Sequence, residues 1–428
     1  MATNRTMAET IIANHAKDTV VKGGICRARV DFAFGNDITA PPAINEFKKM
    51  GAVKVFDPDR TAIVADHFVP NKDIASANQT KIGREFAKAQ GMHFWEAGRC
   101  GVEHAFLMEQ GLELPGDIVI GADSHTCTGG ALGALATGVG STDLAAVWAL
   151  GEVWLKVPET IRVNYHGEFS PWTTGKDIIL SLIGMLGVEG ARYMALEFGG
   201  EAAAKLAMDD RFTMSNMAIE AGGKTGIFET DQAILDYAAK RAKRPFTPVY
   251  PDKNAEYFKT IDIDAADLGP VVAMPHLPEN VKPARECADV EIDQVFIGSC
   301  TNGRLRDMAL AAAVLKGKHV HPDVRLIVIP ASYEVYNESM KRGYIQTFLD
   351  AGAVVTTPTC GPCLGGHIGI LADGERCLST SNRNFVGRMG STSSEVVLAG
   401  PLVAAAGAVT GKITDPSEVV DAGQIKDI

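Results

Sequence analysis

Gln294-Val295-Phe296-Ile297-Gly298-Ser299-Cys300-Thr301-Asn302 is the stretch on which the fold of this chain turns. A short apolar run, Gln294–Ile297, ends at a glycine and passes at once into a row of polar side chains. That is how a buried strand hands over to a ligand-facing turn in an open α/β sheet. The same form recurs along the chain. Thr61–Ala65 runs into Asp66-His67, Asp117–Ala122 into Asp123-Ser124-His125, and Val324–Pro330 into a polar turn, while Val354-Val355 precedes Thr359-Cys360-Gly361-Pro362-Cys363. Helical spacing fills the intervals, so the predicted class is α/β, with sites beyond the carboxyl ends of the strands. The 44 glycines gather at those strand ends, where a backbone must turn sharply or approach a ligand.

At 428 residues the chain is long enough for several domains. Ser141-Thr142-Asp143 supplies capping side chains ahead of Leu144, Val147, Trp148 and Leu155 at helical spacing, and Pro158 ends that helix. The segment from Arg244 to Arg285 is rich in Pro, Asp and Lys and reads as a crossing linker with one short strand. Three domains are therefore expected: 1–157, 158–283 including the linker, and 284–428. A net charge of −11 repels phosphate backbones and anionic membrane surfaces, which argues against nucleic-acid binding. No apolar run is long enough to span a bilayer, and the first twenty residues lack the pattern of a secretory signal, so a cytoplasmic location is expected.

Eight cysteines are too few for a disulfide scaffold. Cys26, Cys100, Cys127, Cys287 and Cys377 stand alone and read as small buried hydrophobes. Cys300, Cys360 and Cys363 differ, because they fall at two strand ends. A Cys-x-x-Cys turn can place two sulfurs on one metal or cluster, and a third thiol from another turn leaves one coordination position without a cysteine. An open position of that kind can take a substrate oxygen. Cys360-Gly361-Pro362-Cys363 is also the tetrapeptide of thiol–disulfide oxidoreductases, although here it comes late in the chain and follows Pro358-Thr359 rather than a tryptophan.

Ala221-Gly222-Gly223-Lys224-Thr225 imitates the end of a phosphate-binding loop but lacks the earlier glycine that loop requires. Asn216 and Glu220 instead share one face of a short helix ended by Gly222-Gly223, a face that is ordinarily solvated. Asp66-His67, His104 and Asp123-Ser124-His125 put imidazoles beside carboxylates. A carboxylate bound to imidazole fixes its tautomer and raises its basicity, which suits proton donation to a departing hydroxyl. Ser381-Asn382-Arg383-Asn384-Phe385-Val386-Gly387-Arg388 adds two guanidinium groups, whose forks match carboxylates.

Taken together, Asn36-Asp37-Ile38-Thr39-Ala40-Pro41, Asp66-His67, Gly121-Ala122-Asp123-Ser124-His125-Thr126, Gly298-Ser299-Cys300-Thr301-Asn302-Gly303, Cys360-Gly361-Pro362-Cys363 and Ser381-Asn382-Arg383-Asn384-Phe385 resemble the aconitase superfamily over nearly the whole chain. The resemblance is nearest to its dehydratases of substituted malates: the isopropylmalate, dimethylmalate and homoaconitate types. It implies three aconitase-type α/β domains around a central cleft, without the fourth, swivel domain. It implies a [4Fe–4S] cluster on Cys300, Cys360 and Cys363, with one iron free for the substrate. By the same resemblance Asp66 and His67 protonate the leaving hydroxyl, and His104, Asp123, His125 and Glu220 form the surrounding network. Asn36, Asp37, Ser124, Arg383 and Arg388 fall on substrate-contact or supporting positions. The implied reaction is reversible dehydration of a 2-hydroxy dicarboxylic acid. Its base is expected from a separate small subunit carrying the swivel domain, since the chain stops at Ile428. The family's isopropylmalate enzymes usually carry His or Tyr where Gly129 stands, which implies either a wider pocket or a looser turn here. An iron-responsive RNA-binding role, known among aconitase relatives, is disfavoured by the charge of −11.

Overall fold

The structure, a computed structural model, describes residues 4–428. Its residues gather into two compact units: residues 4–166 with 191–263, and residues 167–190 with 264–428.

The first unit is built on a five-stranded sheet. Its order is His93–Trp95, Thr61–Val64, Phe32–Asn36, Ile118–Gly121, Leu135–Gly138, and every pairing is parallel. The three central strands are buried at every position, as expected where both faces of a parallel sheet are covered. Ile63 and Ile120 therefore pack into one core, and Phe32, Phe34, Val64 and Val119 into another. Because the strands run parallel, Asn36-Asp37, Asp66-His67 and Asp123 leave the sheet at the same edge, from three neighbouring strands. A second sheet, in the order Thr225–Phe228, Ala195–Gly199, Thr160–His166, Lys259–Asp264, completes the unit.

The second unit carries a seven-stranded sheet: Val281–Pro283, Val271–Ala273, Glu395–Ala399, Arg376–Ser379, Gln294–Ile297, Arg325–Val328, Val354–Val355. The last five strands are mutually parallel, and the first two join antiparallel at the edge. The five runs predicted as strands all appear, shortened by a residue or more except Gln294–Ile297 and Val354–Val355.

Two predicted elements are corrected. The helix that begins at Ser141 ends at Leu150, not near Pro158, because Gly151 takes a left-handed φ of +67° and a Cβ there would meet Phe56 at 2.8 Å. Leu155 is instead buried on the strand Glu152–Lys156, whose alternate residues face inward opposite Ile25–Arg29. The supposed linker holds three strands, Lys259–Asp264, Val271–Ala273 and Val281–Pro283. Two are three residues long, and the third is a mostly exposed edge, so none shows a readable period. Residues 167–190 join the second unit, where Asp177 accepts the Val271 N–H at 3.0 Å. Among the described residues no helix is long and apolar enough to cross a membrane.

Candidate functional site

In the first unit the turn Asn36-Asp37 organises its neighbours through its own side chains. Asn36 Oδ1 accepts the N–H groups of Ile38 and Thr39, both at 3.0 Å, and so closes the turn. Asp37 turns its carboxylate to the next strand end: Oδ1 accepts from the N–H of Asp66 at 3.0 Å and of His67 at 2.9 Å, and Oδ2 from Phe68 at 2.8 Å. Three backbone donors on one carboxylate fix the conformation that presents Asp66-His67. Asn36 Nδ2 donates to Glu103 Oε1 at 2.8 Å, and the Glu103 N–H donates to Asp66 Oδ2 at 2.7 Å. The first turn of the helix Glu103–Glu109 is thereby tied to two strand ends.

His67 Nδ1 lies 2.6 Å from Asp66 Oδ1, which leaves Nε2 as the nitrogen able to reach a substrate. Burial alone lowers the proton affinity of this ring, but the charge and hydrogen bond of Asp66, with Asp37 and Glu103 beyond, outweigh it and hold His67 protonated well above the usual histidine range. Asp123 is the hub on the other side. Its Oδ1 meets His104 Nε2 at 2.9 Å and the His125 N–H at 2.8 Å, and its Oδ2 lies 3.8 Å from His67 Nε2. Burial opposes ionisation of Asp123, yet the hydrogen bonds from His104 and His125 prevail and keep it charged well below the ordinary range. His125 Nε2 continues to Glu220 Oε1 at 2.8 Å, and Ser124 Oγ lies 3.5 Å from His125 Nδ1.

All nine residues singled out in this unit thus fall into two hydrogen-bonded networks, which approach each other at 3.8 Å between His67 Nε2 and Asp123 Oδ2. Asn216 and Glu220 are buried rather than on a solvated face, and Asn216 Nδ2 donates to Thr128 Oγ1 at 2.8 Å. Glu103 belongs to the set and was missed, although it adjoins His104. Burial, with the charges of Asp66 and Asp123, pushes its carboxyl well above the usual range. At Gly129 a Cβ would lie 2.2 Å from Glu113 Oε2 and 2.9 Å from Ala136 Cβ. The space a larger residue would take is filled by Glu113.

In the second unit the thiols lie past the carboxyl ends of the parallel strands. Ser299 holds a left-handed φ of +77°, unusual for a residue with a side chain, and this strained turn delivers Cys300. Thr380 clamps the turn by donating from Oγ1 to Gly298 O at 3.0 Å while accepting the Thr301 hydroxyl at its carbonyl at 2.6 Å. Cys360 and Cys363 share one tight turn, with the Cys363 N–H on Cys360 O at 3.0 Å. Ser299 Oγ stands 3.8 Å from Cys300 Sγ and 3.5 Å from Cys363 Sγ. Asn382 Nδ2 donates to Cys300 Sγ at 3.3 Å, its Oδ1 lies 3.6 Å from Cys363 Sγ, and the Arg388 guanidinium reaches Cys363 Sγ at 3.6 Å. Arg383 is half-buried in the same loop.

The donor set fits a thiolate-held iron–sulfur group: three buried free thiols, with hydroxyl, amide and guanidinium donors aimed at sulfur. Ser299 and Asn382 are part of it, and both stood inside quoted motifs. Lys176 is also part of this region and carried no sequence signal, since one lysine before an apolar run reads as solvent-facing. It is fully buried, donating to Ser381 O at 2.6 Å and Thr380 O at 2.8 Å, and burial lowers its ammonium to about 7.

Comparison with known proteins places these two sets of residues in context. The chain matches the aconitase family (aconitate hydratase) over residues 9–289 and 280–411. It is 60% identical over 417 residues to the 3-isopropylmalate dehydratase large subunit of Moorella thermoacetica, covering 97% of this chain and 99% of that protein. It is 58% identical to 3-isopropylmalate dehydratase large subunit 1 of Pyrococcus furiosus, with the same coverage. Among solved structures, aconitase X of Thermococcus kodakaraensis in its holo-form aligns with a TM-score of 0.51 at 13% identity, over 83% of this chain and 84% of that one, a likeness of fold.

Proposed function

This chain belongs to the aconitase family, and on that premise we propose that it is the large subunit of a hydro-lyase that interconverts 3-isopropylmalate and 2-isopropylmalate, a step of leucine biosynthesis. The observation that carries the reading is the trio of buried thiols at one edge of a parallel sheet, a ligand set one short of closure. Membership of the family implies an iron–sulfur cluster; the specific reading is one [4Fe–4S] cluster per chain on Cys300, Cys360 and Cys363. When bound, that group supplies a Lewis acid that polarises the departing hydroxyl.

The chain's own residues do the rest. His67, kept protonated by Asp66, donates its Nε2 proton to the hydroxyl as it leaves. Asp37 holds the backbone of that pair in place, and Asn36 does the same for its turn. Asp123 and Glu220 fix the orientations of His104 and His125, so that these imidazoles can order the released water. Ser124 lies at the edge of this set. Arg383 and Arg388 offer guanidinium forks to the carboxylates of a small dicarboxylate substrate. The base that removes the carbon-bound proton comes from a small subunit carrying the swivel domain, and the assembly is cytoplasmic. Three aconitase-type domains go with this reading.

The test is to co-express the chain with its small partner, load it anaerobically with iron and sulfide, and follow formation of unsaturated acid from a panel of malates. Turnover of isopropylmalate, near-absent for the large chain alone, is expected. Turnover confined to dimethylmalate or homoaconitate-type substrates overturns the substrate assignment, and full activity of the isolated chain overturns the need for a partner.

A further inference from the structure

Lys176 lies in the first turn of the helix Gly175–Leu186 and is wholly buried. Its Nζ has three acceptors, and all are uncharged: Ser381 O, Thr380 O and, at 3.4 Å, Asn302 Oδ1. The two nearest carboxylates are engaged elsewhere. Asp177 caps Thr174 and the Val271 N–H, while Asp307 accepts from Asn302 Nδ2 at 2.9 Å and from the Arg304 N–H at 2.9 Å. A buried ammonium ion without a carboxylate partner is costly, and such charges persist where another anion answers them. The sulfurs of Cys363 and Cys300, like the Asp307 carboxylate, act on Lys176 as attractive charges. The acceptors are also placed to matter. Ser381 adjoins Asn382, which contacts both sulfurs, and Asn302 stands two residues past Cys300.

We propose that Lys176 is a positioning residue of the thiol site: a buried cation, kept charged by the anionic group itself, that offsets the negative charge of the thiolate-held iron–sulfur group and raises its reduction potential. The proposal rests on the cluster reading given above. A nearby cation favours the more negative, reduced form of the group, so removing it must shift the reduction equilibrium toward the oxidised form. The hydrogen bonds from the same Nζ hold the Thr380–Asn382 turn, a role that a neutral donor could fill equally well.

The two roles are separated by Lys176→Gln, which keeps an N–H donor without the charge, and Lys176→Arg, which keeps the charge. Each is made in the full chain, reconstituted anaerobically, analysed for iron and sulfide, and titrated redox-potentiometrically with electron paramagnetic resonance as the readout. With Gln the reduction equilibrium is expected to shift at least tenfold toward the oxidised form, about 59 mV for one electron, at unchanged iron content. With Arg it stays within about threefold of the unaltered chain, about 30 mV on the same scale. Equal potentials for the Gln variant and the unaltered chain overturn the proposal while leaving the cluster reading intact. An unaltered chain that takes up no iron and sulfide overturns the cluster reading itself, and this proposal with it. If neither variant folds, Lys176 belongs to the scaffold and the proposal is withdrawn.

Discussion

The acid–imidazole set of the first unit and the thiol set of the second both sit at the carboxyl edge of a parallel sheet, yet they satisfy their polar groups in opposite ways. In the first, folding closes the set: His67 finds Asp66, His104 finds Asp123 and His125 finds Glu220, all within 2.9 Å. In the second, donors converge on sulfur, and a buried ammonium ion has only carbonyl and amide acceptors. In the first set each imidazole is answered by a carboxylate of the chain itself. In the second, polar donors gather around thiols, the arrangement that the proposed iron–sulfur group would use.

That contrast can be broken by removing one member from each side. Cys363→Ala should abolish iron–sulfur binding and lower turnover about a thousandfold or more, roughly 4 kcal/mol of barrier, with circular dichroism unchanged; iron content and rate are the measurements. His67→Gln should lower kcat by about 10²–10⁴ while iron content stays at the level of the unaltered chain. If losing His67 also empties the iron, the two sets are not chemically separate and the contrast fails.

The next substitution sharpens the comparison through pH. In the proposed role His67 donates a proton only while protonated, so the rate is expected to fall as pH rises through its raised pKa. Asp66→Asn removes the main charge holding that pKa up, and the alkaline limb of the kcat profile should move to lower pH by about one unit or more. An unmoved limb would assign the titration to another group. The smallest effect is expected at Glu103, whose carboxyl burial and the charges of Asp66 and Asp123 raise above its unfolded value. A raised carboxyl contributes stability that is complete below the unfolded pKa and is lost as pH rises through the folded one. Glu103→Gln should therefore flatten the decline of Tm between mildly acidic and alkaline pH, measured by thermal melts in a pH series. An identical decline in the variant would place the titration elsewhere.

Much of the acid–imidazole set was legible because its members are strand-end residues, and a buried parallel strand is readable as a short apolar run. Asp66-His67 and Asp123-Ser124-His125 each follow such a run directly. Apart from the family resemblance, Glu220 was legible only as a neighbour of Asn216 on a helical face, and its partner His125 lies 95 positions away in sequence. No local pattern encodes a pairing of that span. Glu103 escaped because one carboxylate in an amphipathic segment looks the same whether it meets solvent or Asn36. The three strands between residues 259 and 283 escaped for the opposite reason: two are too short and one too exposed for burial to impress a period on them.

The sequence by itself determined the α/β class, the strand ends that bear polar residues, and the three cysteines that stand apart from the other five. These follow from periodicity and from residue chemistry, both of which are local. Only the tertiary structure decided that Asp37 spends its carboxylate on the Asp66 and His67 amides, that Ser299 and Asn382 face the sulfurs, and that Lys176 is buried against the Thr380–Ser381 backbone. A side chain's partner depends on which distant backbone the fold brings within about 3 Å of it, and a single residue's chemistry leaves that choice open.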